Sequence, residues 1–369
     1  MTDLHIEKFA HILVDYSTSI KPGDRVAITT GFAAEPLARA LFALILDRGG
    51  HPHFLFDIPD QEELFFAHAR DEQLDFVPLF HKMAYEQFDV LLKIRADTNS
   101  RALTNVPSER KTRRQKGLEP LMAAQMQRGA KESLRWMSTI FPTQAYAMEA
   151  EMGFEEFREF FFQACHADAN TPDPVAFWQS VEEQHRRSIQ HLEGHDRIEV
   201  RGPNVDLVLS IKGRTFINGS GQHNLPDGEI FTGPVEESAN GWVRFSFPAV
   251  YQGNMVQGVE LTFKDGKVVK ASAEKNQGLL QQILHTDPGA SYLGEFAIGT
   301  NYQINRFTRN ILLDEKIGGS FHMALGAGYP ETGSKNESAI HWDMVCDLRH
   351  GGEISVDDHL LYRNGKFVI

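Results

Sequence analysis

The sequence predicts an α/β plus α+β protein: a doubly wound α/β domain over residues 1–195, then a β-rich domain over 196–369. Length supports two domains, because 369 residues exceed what one hydrophobic core usually serves. Strand-like and helix-like segments alternate through the first half, the pattern of a parallel sheet with helical crossovers. Near residue 197 short strands and tight turns take over.

Residues 4–17 place Leu4, Ile6, Phe9, Ala10, Ile12, Leu13 and Tyr16 near helical spacing. Lys21-Pro22-Gly23-Asp24 reads as a turn, and Arg25-Val26-Ala27-Ile28-Thr29 as a short buried strand. Residues 35–47 form an amphipathic pattern that Gly49-Gly50 stops. His53-Phe54-Leu55-Phe56 is the next strand, and residues 88–94 another after a helix-rich stretch. Residues 144–195 read as helical, with Phe154, Phe157, Phe160, Phe161 and Phe162 as core. Beyond 197, residues 205–209 and 259–263 read as strands, interrupted later by a helix at 276–285. Lys264-Asp265-Gly266-Lys267 and Arg363-Asn364-Gly365-Lys366 carry the Asp-Gly and Asn-Gly pairs of tight hairpins.

A net charge of −13 argues against nucleic acid as a partner. The basic run Arg110-Lys111-Thr112-Arg113-Arg114-Gln115-Lys116 reads as a solvated helix face. Cys165 and Cys346 lie far apart, which excludes a disulfide framework and suits a reducing compartment. No segment reads as a signal peptide or a bilayer span, so the cytoplasm is the default expectation and no membrane partner is expected. After the first strand, Thr30-Gly31-Phe32-Ala33-Ala34-Glu35 lacks the glycine spacing that cradles a pyrophosphate, and no Walker A pattern occurs.

The chemistry-bearing residues fall in the second half. In an extended segment His341 and Asp343 share a face and can chelate one ion, although a lone H-x-D triplet is common by chance. Glu229 enters a strand from a Pro-Asp-Gly turn and reads equally as a turn acid. Glu295 sits among small and apolar residues, where a carboxylate must be paired, protonated or bound to a cation. His322 reads as a core histidine or a ligand, and Glu315 as a neighbour of that site or a solvated acid. Tyr329 reads as core or as a phenol donating to a developing oxyanion, protonated near neutral pH.

Taken in order, these residues resemble a known family. Glu229, then Gly294-Glu295-Phe296-Ala297-Ile298-Gly299, then Asp314-Glu315-Lys316-Ile317-Gly318-Gly319 with His322-Met323-Ala324-Leu325-Gly326, Tyr329 and His341-Trp342-Asp343 look like the aminopeptidase T family of metallopeptidases. Tyr16-Ser17-Thr18, Lys21-Pro22-Gly23-Asp24-Arg25-Val26 and Pro36-Leu37-Ala38-Arg39-Ala40-Leu41 match as well. The resemblance spans nearly the whole chain and is strongest over 225–343.

It implies a metal-dependent aminopeptidase that removes the N-terminal residue from short peptides with a free N-terminus. It further implies a homodimer with an enclosed cavity and two divalent metal ions per chain, whether zinc, cobalt, manganese or magnesium. Carried over by position, Glu229, Glu295, His322, His341 and Asp343 are the expected ligands, with Glu315 as a sixth and Tyr329 as the catalytic tyrosine. Two such ions about 3.5–4 Å apart share and acidify a water. Glu295 is the expected bridge, and it or Glu229 the proton carrier to the leaving amine. The chain is shorter than typical members, and the 110–116 run matches no family motif.

A rival reading uses His322, His341 and Asp343 as the two-His-one-carboxylate triad of a mononuclear non-haem iron ring-cleaving dioxygenase, a class that resembles this family in fold. Glu229 and Glu295 discriminate, because a one-iron site needs neither. The third reading is a metal-stabilised binding protein without turnover.

Overall fold

A computed structural model describes residues 3–251 and 253–368. Contacts group the chain into two units, and the grouping differs from a single cut at 195/196. The first unit runs to Trp178 and takes back Gly221–Pro226; the second holds Gln179–Ser220 and the chain from Asp227 onward. The helix Pro174–Gln190 is continuous across the first of these boundaries, so its sequence carries no break there. Its later turns belong to the second unit: Asn218 Nδ2 donates to the Glu182 carbonyl at 2.8 Å, and His185 Nδ1 lies 2.9 Å from Asn218 Oδ1.

The first unit is mixed α/β around a parallel sheet. Strands β1 (Arg25–Gly31), β2 (His51–Asp57), β3 (Val90–Arg95) and β4 (Arg135–Ile140) lie in the order β2-β1-β3-β4. That order leaves β1 in both directions, as doubly wound sheets do. Val26-Ala27-Ile28 and Val90-Leu91-Leu92 are buried as continuous runs, which fits strands covered on both faces. The helix Glu35–Asp47, α1, connects β1 to β2 and buries Leu37, Ala38, Leu41 and Ile45. The two-residue strand Asn224–Leu225 extends the sheet in parallel beside β4. Phe157, Phe160, Phe161 and Phe162 are buried as expected, with Phe9 edge-on to Phe161 and Phe162, whereas Phe154, the first residue of its helix, is only half-buried.

The basic run lies near the start of the helix Ser108–Ala130, α2. It is less solvated than its sequence suggests. Arg110 and Arg113 pair with Asp71 and Asp75, while Arg114 donates to the carbonyls of Leu74 and Phe76. These arginines pin the short helix Asp71–Leu74 and caps its carbonyls, partners that lie about forty residues away along the chain.

The second unit contains an eight-stranded and a five-stranded antiparallel sheet. Both expected hairpin turns form: Asp265 and Gly266 have φ 50° and 79°, Asn364 and Gly365 49° and 80°, the positive pairs such two-residue loops require. The expected helix spans Gln277–Leu284. The five-stranded sheet comprises β5 (Ile217–Gly219), β6 (Glu229–Thr232), β7 (Leu293–Gly299), β8 (Ser320–Gly326) and β9 (His341–Asp347), ordered β9-β8-β7-β6-β5. Phe296, Ile298, Phe321, Met323, Trp342 and Met344 join Ile198, Val200, Leu207, Val243 and Leu261 of the other sheet in one core. Alternation then sends the intervening side chains to the opposite face. Among the described residues, no helix is long and apolar enough to cross a membrane.

Candidate metal centre

The face of the five-stranded sheet turned from the core carries the acids and imidazoles. Register sets their neighbours: Glu295 lies opposite Ala324, which lies opposite Asp343, and His322 lies between Ala297 and Val345. A bulge between Leu293 and Glu295 shifts the alternation, so Leu293 joins the core while Glu295 faces away from it. Glu229 stands opposite Gly219 on β5. A Cβ at Gly219 would fall 2.7 Å from Glu229 Cγ and 2.9 Å from Asp227 Oδ1, so only glycine leaves both acids room.

His322 Nε2 is 3.0 Å from Glu295 Oε1 and 3.5 Å from Glu229 Oε2. His341 Nε2 is 3.4 Å from both Glu295 Oε2 and Asp343 Oδ1. The opposite ring nitrogens are held by backbone. His322 Nδ1–H donates to the Glu315 carbonyl at 3.0 Å, and His341 Nδ1–H to the Ala327 carbonyl at 2.8 Å. Such bonds fix the ring orientation and turn Nε2 toward the acids, as for metal-ligating histidines.

Three donor groups result, each with ligand atoms within 4.8 Å of one another: Glu229, Glu295 and His322; Glu295, His341 and Asp343; Glu315, His322 and Asp343. All six residues expected as ligands are therefore brought together. Tyr329 reaches the same place from the loop after β8, its ring 5.2 Å from that of His341 and 5.5 Å from that of Phe231.

Two residues escape the sequence reading. Lys316 is 0% exposed, with Nζ 2.5 Å from Glu229 Oε1, 2.6 Å from Glu315 Oε1 and 3.8 Å from Asp227 Oδ1. Its signal lay in the context Lys316-Ile317-Gly318-Gly319, apolar and glycine-rich after two acids, where a lysine stem has no solvated face. Asp227 is the other, buried in the turn that precedes β6.

Burial and like charges raise the Glu229 carboxyl to about 8 despite Lys316 beside it. Burial raises Glu315 too. Glu295 goes the other way: burial opposes its charge, but His322 and His341 hold it well below the carboxylate range. Burial likewise disfavours a charged His322, yet Glu295 and Glu229 lift it to about 9. Burial and the surrounding acids push the Tyr329 phenol well above its ordinary value, so it keeps its proton. Against burial, the acids around Lys316 hold it charged.

Among the described residues, Glu229 Oε2 and Asp343 Oδ1 are buried acceptors without a hydrogen-bond partner. Buried acceptors are normally satisfied, and a cation satisfies carboxylate oxygens best. The donors are all oxygen and nitrogen, the set that hard and borderline divalent ions prefer. The residues fit a metal site.

A model of the family described as thermophilic metalloprotease (M29) matches residues 2–367. The chain belongs to this metalloprotease family. Aminopeptidase 2 of Geobacillus stearothermophilus is 27% identical over 382 residues, covering 92% of this chain and 91% of its own. Aminopeptidase T of Thermus thermophilus is also 27% identical, over 98% of this chain and 95% of its own. In structure, wild-type AmpT from Thermus thermophilus superposes with a TM-score of 0.87 at 23% identity, covering 99% of both chains. A 2,5-dihydroxypyridine dioxygenase from Pseudomonas putida KT2440 gives 0.58 at 12% identity, over 99% of this chain and 96% of that one. At such identities the structural likenesses establish fold alone. The M29 membership agrees with the family resemblance carried by residues 225–343 and gives the acid–imidazole face its metalloprotease context.

Proposed function

We propose that this M29 metalloprotease is an aminopeptidase that uses two divalent cations to release the N-terminal residue of short peptides. One observation carries the reading: Glu295 turns Oε1 to His322 and Oε2 to His341, and so joins the Glu229–His322 donors to the His341–Asp343 donors, while His322 and Asp343 are each shared with a third group through Glu315. A carboxylate placed in this way would serve as ligand to both ions. Glu229, Glu295, His322, His341 and Asp343 would hold them, with Glu315 through its remaining oxygen. When bound, the ions supply Lewis acidity, activating a water and polarising the scissile carbonyl.

The chain's own residues then have separable tasks. Tyr329 keeps its phenolic proton and donates it as a hydrogen bond to the carbonyl oxygen as that oxygen becomes charged. Glu229 or Glu295 would carry the proton to the leaving amine. The excess of acids at the site favours a substrate that presents a free, cationic α-amine.

The one-iron dioxygenase reading is disfavoured because every donor group includes a glutamate that its triad does not use. The deciding experiment compares a dipeptide with its N-acetylated form. Cleavage of the free peptide alone is expected, and equal rates on both would refute selection by the amine.

The homodimer expectation is supported by an exposed apolar face in the first unit. Phe32 stacks on Phe56 at 5.1 Å, and Phe76, Leu79 and Phe80 stand open beside a groove of about 500 Å³, Phe80 being 72% exposed. Faces of this kind mark association surfaces, and the proposed occupant is a second copy. Phe80→Glu should then shift the sedimenting species toward monomer. Cys165 and Cys346 are free thiols, which supports a reducing compartment such as the cytoplasm.

A further inference from the structure

Tyr329 does not sit on the sheet that carries the acids. It lies on the stretch between β8 and β9, whose regular structure is one short helical turn, Pro330–Thr332. A phenol aimed at an oxyanion needs tighter placement than such a loop provides by itself. The placement is traceable to a partly buried ion pair outside the metal centre.

Arg214, with its side chain 7% exposed, donates from Nη2 to Glu236 Oε2 at 2.6 Å. Its Nη1 donates to the Gly333 carbonyl. Glu236 uses its other oxygen, Oε1, to accept the Lys335 N–H at 2.6 Å. Guanidinium and carboxylate thus grip the same loop two residues apart. Next to Arg214, the Thr215 N–H donates to the Thr332 carbonyl at 3.1 Å, and Thr332 Oγ1 donates to the Tyr329 carbonyl at 2.6 Å. Burial raises the Glu236 carboxyl, but the Lys335 amide and Arg214 more than offset this, so the pair stays ionic.

We propose that the Arg214–Glu236 pair positions Tyr329, acting as the clamp that fixes the loop bearing the reaction's oxyanion donor. This inference rests on the reading of Tyr329 given above. Arg214 and Glu236 belong to none of the three metal-donor groups, so the clamp acts through Tyr329 and not through the metals. Arginine suits the task because its planar fork addresses a carboxylate and a carbonyl together, which a lysine ammonium does with less geometric control.

The test is a double-mutant cycle on the metal-loaded protein with an amino-acid arylamide substrate. Remote misplacement of a reacting group by about 1 Å costs on the order of 100-fold. Arg214→Met should therefore lower kcat by about 10- to 100-fold with KM and metal content close to the parent. Glu236→Gln, which keeps the volume, should lower it less and serves if Arg214→Met does not fold. In a Tyr329→Phe background neither substitution should lower the residual rate further, because the group they position is gone. Amide exchange should also quicken at 329–335 and not in β7 or β8. Full kcat in Arg214→Met and Glu236→Gln, or equal losses with and without Tyr329, would overturn the proposal. Failure of the underlying reading looks different: Tyr329→Phe would itself be fully active.

Discussion

Lys316→Met removes a buried ammonium while leaving most of its stem, and its cost should depend on whether metal is bound. In the metal-free protein the ammonium is the cation nearest Glu229 and Glu315, at 2.5 and 2.6 Å. Removing one partner of a buried ion pair costs about 3–5 kcal/mol. Glu229, already raised to about 8, relieves part of that loss by keeping a proton at neutral pH. Glu315, raised by burial as well, can take up a proton in the same way, which places the cost near the lower end, about 3 kcal/mol. For a unit of this size about 1 kcal/mol moves Tm by about 2–4 °C, so the metal-free variant should melt about 6–12 °C below its parent. With divalent ions loaded, the same carboxylates face other cations, and the drop should shrink to less than half. Calorimetry of chelator-treated and metal-loaded protein at neutral pH measures both. Equal drops in the two states, or none without metal, would refute the role of Lys316 as the resident cation.

Tyr329→Phe keeps the ring contacts with His341 and Phe231 but removes the phenol; kcat should fall about 100- to 1000-fold with metal content unchanged, as steady-state kinetics and elemental analysis would show. Gly219→Ala puts a methyl 2.7 Å from Glu229 Cγ and should weaken metal binding about 10- to 100-fold, readable by chelator competition. Acid stability should depend on His166, whose burial against Phe177, ring centroids 3.5 Å apart, lowers it to about 4 from the usual 6.5. A depressed histidine favours the fold above pH 6.5 and loses that contribution as pH falls toward 4. His166 has φ 53°, so asparagine is the tolerated replacement, and melts of His166→Asn should fall less than the parent's between pH 7 and 4.5.

The pairing of His341 with Asp343 was legible from strand alternation, whereas Glu229, Glu295 and His322, each open to a structural reading alone, were legible only as a set in family order; register brings them to one face. Lys316 was not, since a lysine reads as solvated until the topology shows three acids around it. The parallel alternation of the first half was visible in the apolar runs of β1 and β3. The strand β4 and the pairing of Asn224–Leu225 beside it were not, because that pairing joins residues about eighty-five positions apart. The unit boundary was hidden by a helix that runs through it, and the basic run looked solvated because its acidic partners lie far back in the chain. Local patterns carry faces and turns; long-range pairing carries the rest.

The claim that Glu295 bridges two ions is tested most directly by titrating metal-free protein with a divalent cation while following hydrolysis of an unblocked dipeptide. Activity should rise to a plateau at two equivalents per chain, and Glu295→Gln should abolish the second equivalent. A plateau at one equivalent, with dioxygen consumed in an iron-loaded sample, would contradict it.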